Sequence, residues 1–182
     1  MKKPTKLLLA VQAVFTIMGA ISSVLMVANI FTQDSDFIDC LNAAIYCIVY
    51  LYAIIYSVFK YKDADLYFEL FAYCYAALLG VLILYSGRLI RNSALSDPLA
   101  FMINTVNLIC FANVIKFTDH LDDRKVALAY LGTAVILKFA AELFLIVLSF
   151  DKITPLNIMT ALSVPILGAT LLLAYAHRYG EE

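Results

Sequence analysis

In the stretch "ILKFAAELF" a lysine and a glutamate, Lys138 and Glu142, stand four residues apart inside a long apolar run. On a helix that spacing puts them one turn apart on one face, with the cation N-terminal to the acid, the weaker order for a helical ion pair. A lysine in the middle of a membrane span costs about 2.5–3.5 kcal/mol on insertion scales, which surrounding Leu, Ile, Val and Phe offset at about 0.3–0.6 kcal/mol each. Insertion is therefore tolerable, but the charge needs a reason. Two reasons fit: a self-neutralising pair turned into a helical bundle, or a charged contact for a substrate, an ion or a neighbouring helix. Ionisable groups within spans generally mark functional interiors, so Lys138 and Glu142 are the leading candidate ligand-binding residues.

Other polar residues fall at a similar depth. Asn104 and Asn107 are three apart and share a helix face, whereas Asn113 points away from them. Tyr46 and Tyr50 form a column with Asn42 one turn before them, and Tyr73 and Tyr75 lie near mid-span on the following run. Tyrosines favour the membrane interface, where the hydroxyl stays wet, and Tyr61, Tyr67, Tyr85, Tyr175 and Tyr179 fit that belt. The deeper ones need an internal partner or a water-filled space. Asn104, Asn107, Tyr50 and Tyr73 thus join Lys138 and Glu142 as a predicted polar pocket between helices.

Catalytic sets are poorly represented. The histidines, His120 and His177, fall at one margin, away from the depths expected for Cys40, Cys47 and Cys74, so a Cys-His nucleophile has little support. There is no C-x-x-C pair. "DHLDD" (Asp119, His120, Asp122, Asp123) holds metal-ligand residue types but reads as a solvated turn in which an aspartate caps the next helix. No catalytic residue, metal or cofactor is expected. Arg88 and Arg91, three apart in the longest predicted loop, either meet lipid phosphates or an anionic ligand, or are plain exposed charges.

These residues need elements to hold them, and composition says which. Hydrophobic residues make up 64% of the 182 and charged residues 15%, against roughly 45–50% and 25% in soluble domains. The mean hydropathy is +0.89. Six apolar runs approach or exceed the about 20 residues that cross a bilayer: Leu7–Phe31, Cys40–Phe59, Leu66–Tyr85, Leu99–Ile115, Val126–Ser149 and Leu156–Ala176. In hydrocarbon the backbone must satisfy its own polar groups, and no run alternates as a barrel strand does, so all six are predicted as helices. Asp97-Pro98 and Thr154-Pro155 supply a capping oxygen before a proline at the first helical position, and Asp63 or Asp65 can cap the third run.

Charge placement orients them. With the N-terminus inside, nine basic residues (Lys2, Lys3, Lys6, Lys60, Lys62, Lys116, Arg124, Lys125, Arg178) fall on the cytoplasmic side and three (Arg88, Arg91, Lys152) outside, as the positive-inside rule prefers. The apolar run after Lys6 is too long for a signal peptide and lacks a small-x-small cleavage site. The expectation is an all-α, polytopic membrane protein of the cell inner (plasma) membrane. Residues 1–182 form a single bundle of six transmembrane helices with both termini cytoplasmic.

Loops of 6 to 13 residues cannot hold a folded domain, so function resides in the bundle or in contact with another protein. The first expectation is a protein that binds or transports a small polar or amphipathic molecule in an intramembrane pocket. In size and helix number such a chain is similar to the substrate-binding subunits of energy-coupling-factor vitamin transporters. The alternative is a non-catalytic accessory, sensory or assembly subunit of a larger membrane complex; an intramembrane enzyme comes third. Partners follow: the lipid bilayer, a small-molecule ligand, and a membrane protein or second copy; the small-residue rows Ala72/Ala76/Gly80 and Ala129/Thr133 read first as packing seams within the bundle and second as docking faces. Nucleic acid is excluded, because basic residues are scattered over helix ends and the net charge is −1.

Overall fold

A computed structural model describes residues 37–59, 64–92, 98–148 and 155–178, together with Ile17, Ala20, Ile21, Val24, Val27 and Ala28. Those six isolated residues are helical; the rest of the predicted Leu7–Phe31 span lies outside the described residues. After them come five helices: α1 (Phe37–Phe59), α2 (Ala64–Asn92), α3 (Pro98–Asp119), α4 (Arg124–Leu148) and α5 (Pro155–Arg178). No strand occurs among the described residues. Among the described residues three stretches are long and apolar enough to cross a membrane: Glu69–Gly87 within α2, the whole of α3 and the whole of α4. Phe37–Tyr52 and Ala161–Ala176 are shorter apolar stretches.

Local chemistry sets the helix ends. α3 and α5 begin at Pro98 and Pro155, where a missing N–H costs nothing and the fixed φ is already helical. α4 begins after Asp123, whose Oδ1 accepts the Val126 N–H at 3.3 Å and whose carbonyl accepts the Ala127 N–H at 2.8 Å. This is an N-cap, and it accounts for part of the "DHLDD" turn. In the same turn Lys116 pairs with Asp119 at 3.4 Å on an exposed surface, and the Lys116 carbonyl lies 2.9 Å from His120 Nδ1. Since α2 begins at Ala64, Asp65 is inside the helix and cannot cap it; Asp63 lies outside the described residues.

Two predicted boundaries move. α3 runs to Asp119 rather than Ile115, giving the shortest predicted span 22 residues. α2 continues past Tyr85 through Gly87 to Asn92, so Arg88 and Arg91 are helical rather than in a loop. Arg, Leu and Ile sustain the helix there once the single glycine penalty of about 1 kcal/mol is absorbed.

Each helix packs on the next, from α1 through α5, and α2 also touches α5. The α3–α4 seam shows the register. Ala100, Asn107 and Val114 recur every seven residues on α3, as do Cys110 and Phe117, all buried. On α4 the buried residues Ala127, Ala134 and Ala141 do the same, alongside Leu131 and Lys138. Seven-residue repeats keep a seam facing its partner along a left-handed antiparallel pair, and alanine every seventh residue lets the backbones approach. Gly80 of α2 faces the Phe111 ring of α3, and Ala72 and Ala76 are buried. The α2 small-residue row is therefore an internal seam. The Ala129/Thr133 row is exposed instead. Outward positions otherwise carry large apolar residues, among them Leu84, Phe101, Ile136 and Val147.

Candidate functional site

Lys138 is the fifteenth residue of α4, about 21 Å along it at 1.5 Å per residue. It is 2% exposed and Glu142 8%, so both side chains turn into the bundle. Lys138 Nζ lies 2.6 Å from Glu142 Oε1 and donates to Asn107 Oδ1 at 2.7 Å. Each ammonium donor so used is charge-assisted, and the α3–α4 heptad register is what brings Asn107, 31 residues away, to it. One turn toward the α3–α4 turn, Cys110 Sγ donates to the Ala134 carbonyl at 3.3 Å. The thiol is also within electrostatic reach of both members of the pair.

Of the predicted pocket residues, Lys138, Glu142 and Asn107 are joined directly. Asn104 lies one turn from Asn107 but belongs to a neighbouring contact, with its Oδ1 2.9 Å from Ser86 Oγ. Ser86 has one hydroxyl proton and a closer acceptor in the Leu82 carbonyl at 2.7 Å. The amide of Asn104 therefore serves Ser86 best with its NH2 turned toward it, an orientation of identical shape. Tyr50 is buried and stacked on Tyr46, ring centroids 6.1 Å apart. Tyr73 is 52% exposed: it faces outward and does not join the others.

In its place the structure puts Tyr75, two positions on and so on the opposite side of α2. Tyr46 and Tyr75 both come within electrostatic reach of Glu142, and Tyr50 of each of them. The Tyr75 hydroxyl is seated against Gly168 of α5, where there is no side chain to cover it. Ser163, also on α5, stands beside the Tyr50 hydroxyl as a neighbour able to hydrogen-bond to it. Between them, Pro165 lies inside α5; lacking an N–H, it leaves the Ala161 carbonyl without its ordinary helical donor.

Three atoms in this region have no hydrogen-bond partner: Asn42 Oδ1, Tyr50 Oη and Tyr75 Oη. Their side chains are each 5% exposed or less. A buried polar atom left unsatisfied costs about 1–3 kcal/mol, and native interiors contain few of them. Of the three, Tyr75 comes within electrostatic reach of Glu142, and Tyr50 within reach of Tyr75.

No family model, curated protein or solved structure matches this chain. The site is thus defined by its own atoms: a neutralised pair held by an asparagine, flanked by tyrosines from α1 and α2 whose hydroxyls lack partners. No group of three or more His, Cys, Asp or Glu side chains among the described residues is placed to hold a metal. Among the described residues Cys110 has no histidine beside it, since His120 is at the end of α3 against Tyr130.

Sequence reasoning placed Tyr75, Tyr46 and Asn42 at suitable depths but did not select them over Tyr73. The discriminating signal is on α2 itself: Ala72, Tyr75, Ala76 and Leu79 share the buried i, i+3, i+4, i+7 face. Cys110 also borders the pair, within electrostatic reach of both members.

Proposed function

We propose that this chain is a six-span inner-membrane protein, both termini cytoplasmic, that binds or transports a small polar or amphipathic molecule inside the bundle at Lys138 and Glu142. The observation that carries the reading is a set of unpartnered buried polar atoms in the same bundle as that ion pair: Tyr75 Oη, within electrostatic reach of Glu142, with Tyr50 Oη and Asn42 Oδ1 on α1. Hydrocarbon offers such atoms nothing, and each is costly if left dry. An occupant with its own donors and acceptors satisfies those it reaches. Asn107 positions Lys138 for the task, Glu142 is the more accessible member of the pair, and the tyrosines form the walls.

The test is thermal unfolding of the purified protein in detergent micelles against a panel of amino acids, amides, polyols and small organic ions. A binder present at a hundred times its dissociation constant stabilises by about 2.7 kcal/mol, several degrees for a chain of this size. The expected result is such a shift in the wild type, abolished in Lys138→Ala and Glu142→Ala proteins that still insert and fold. Undiminished shifts in both variants refute the pocket.

The second reading, a non-catalytic accessory, sensory or assembly subunit, draws on a different face. Ala129, Thr133 and Ala140 of α4 are exposed and offer a close-approach surface to another helix.

A further inference from the structure

The buried polar groups are unevenly placed along the bundle. At the end where α2 stops and α3 starts lie Asn42 near the beginning of α1, Ser86 near the end of α2, and Ser163 in the first half of α5. Asn107, Lys138 and Glu142 carry this polar column toward mid-depth. Toward the opposite end, the α3–α4 turn, the core is closed by Phe71, Ala72, Val114, Phe117, Leu131 and Leu171, none with any exposed surface. In that half Thr170 donates to the Ile166 carbonyl at 3.0 Å, Tyr175 to the Leu121 carbonyl at 2.8 Å and Cys110 to the Ala134 carbonyl at 3.3 Å, while the unpartnered Tyr75 hydroxyl stands at its inner boundary against Gly168. The Phe117 and Tyr175 rings meet edge to face, centroids 5.2 Å apart, across this seal.

The chemistry of the unmatched groups limits what fills them. Asn42 Oδ1 only accepts, as does the Glu142 carboxylate, while each tyrosine hydroxyl accepts and gives one proton. The Lys138 and Glu142 charges cancel at 2.6 Å. An ion arriving alone brings a charge with no counterpart into a low-dielectric interior, at a heavy penalty. A molecule of zero net charge with hydroxyl or amide groups brings donors without that penalty.

Resting on the binding reading above, we infer that the occupant is a net-neutral, hydroxyl- or amide-bearing small molecule admitted from the α2–α3 end of the bundle alone. By the distribution of basic residues that is the outer end. The apolar half is a plug, and Lys138 and Glu142 mark the floor of the path.

Thiol accessibility in sealed vesicles tests both parts. Single cysteines replace Ser163 beside Tyr50, Val114 in the plug, and Asp122 in the α3–α4 turn, in a background with Cys40, Cys47, Cys74 and Cys110 changed to alanine. Each is exposed from one side at a time to the hydroxyethyl, ethylammonium and ethylsulfonate forms of methanethiosulfonate, with glutathione on the far side to scavenge leakage. The expected result has Ser163→Cys reacting only from the side opposite Asp122→Cys, with the neutral form faster by about tenfold or more than either charged form. Val114→Cys reacts from neither side. Reaction of Ser163→Cys from the Asp122→Cys side, equal rates for the charged reagents, or reaction of Val114→Cys at a rate like that of Ser163→Cys overturns the inference while leaving a pocket in place. A Ser163→Cys that is inert from both sides, in protein whose Asp122→Cys reacts and whose thermal transition is intact, removes the pocket itself and the binding reading with it.

Discussion

Replacing Lys138 with alanine is expected to destabilise the protein by about 3–5 kcal/mol, the cost of leaving a buried charge without its partner. Glu142 then sits 8% exposed in a helical interior with no cation beside it, and Asn107 Oδ1 loses the donor it now meets at 2.7 Å. Folding free energy in mixed micelles, by denaturant titration, measures the loss. The Lys138→Met/Glu142→Leu double variant is expected to recover most of it, because buried pairs replaced by apolar residues of similar volume are commonly neutral or better. The cycle separates two roles. A stable double variant that has lost all ligand response assigns the pair to binding; a stable one with an unchanged response assigns it to architecture.

Gly168→Ala should cost about 1–3 kcal/mol through overpacking, although glycine to alanine in a helix ordinarily gains up to about 1 kcal/mol. A Cβ at 168 would collide with the Tyr75 hydroxyl, approach its ring carbon Cζ to 2.8 Å and touch Val135 Cγ2 at 3.0 Å. Tyr75 is completely buried and has nowhere to retreat. Gly132 is the internal control: nothing lies within 4 Å of a Cβ placed there, so Gly132→Ala is expected to be neutral or stabilising. Opposite signs at 168 and 132, measured in the same denaturant series, confirm that the Tyr75 hydroxyl is pressed against α5. Equal signs contradict it.

How far the chain could be read beforehand depended on the range of the interaction concerned. Helix starts at Pro98, at Pro155 and after Asp123 were legible because a proline or a capping carboxylate acts within one turn. The helical extension through Arg88 and Arg91 was not, because Gly87 and the polar residues that follow mimic a loop while their neighbours still favour helix. Depth along a span placed Lys138, Glu142, Asn107 and Tyr50 in one neighbourhood, and the structure connects the first three directly. Depth says nothing of rotation about the helix axis, and that is where Tyr73 was confused with Tyr75. The seven-residue alanine row at 127, 134 and 141 carries the missing rotational information, since it marks which face of α4 meets α3 and therefore that Lys138 must meet Asn107.

Whether the unpartnered tyrosine hydroxyls of the bundle exist to hold an occupant is decided most directly by the sign of one stability change, the folding free energy of the Tyr50→Phe/Tyr75→Phe variant against wild type. Occupied hydroxyls are making hydrogen bonds, so their removal should lower stability by about 0.5–1.5 kcal/mol each. A gain of about 1–3 kcal/mol per hydroxyl, the relief expected when a dry, unsatisfied group is deleted, would show that nothing is held there.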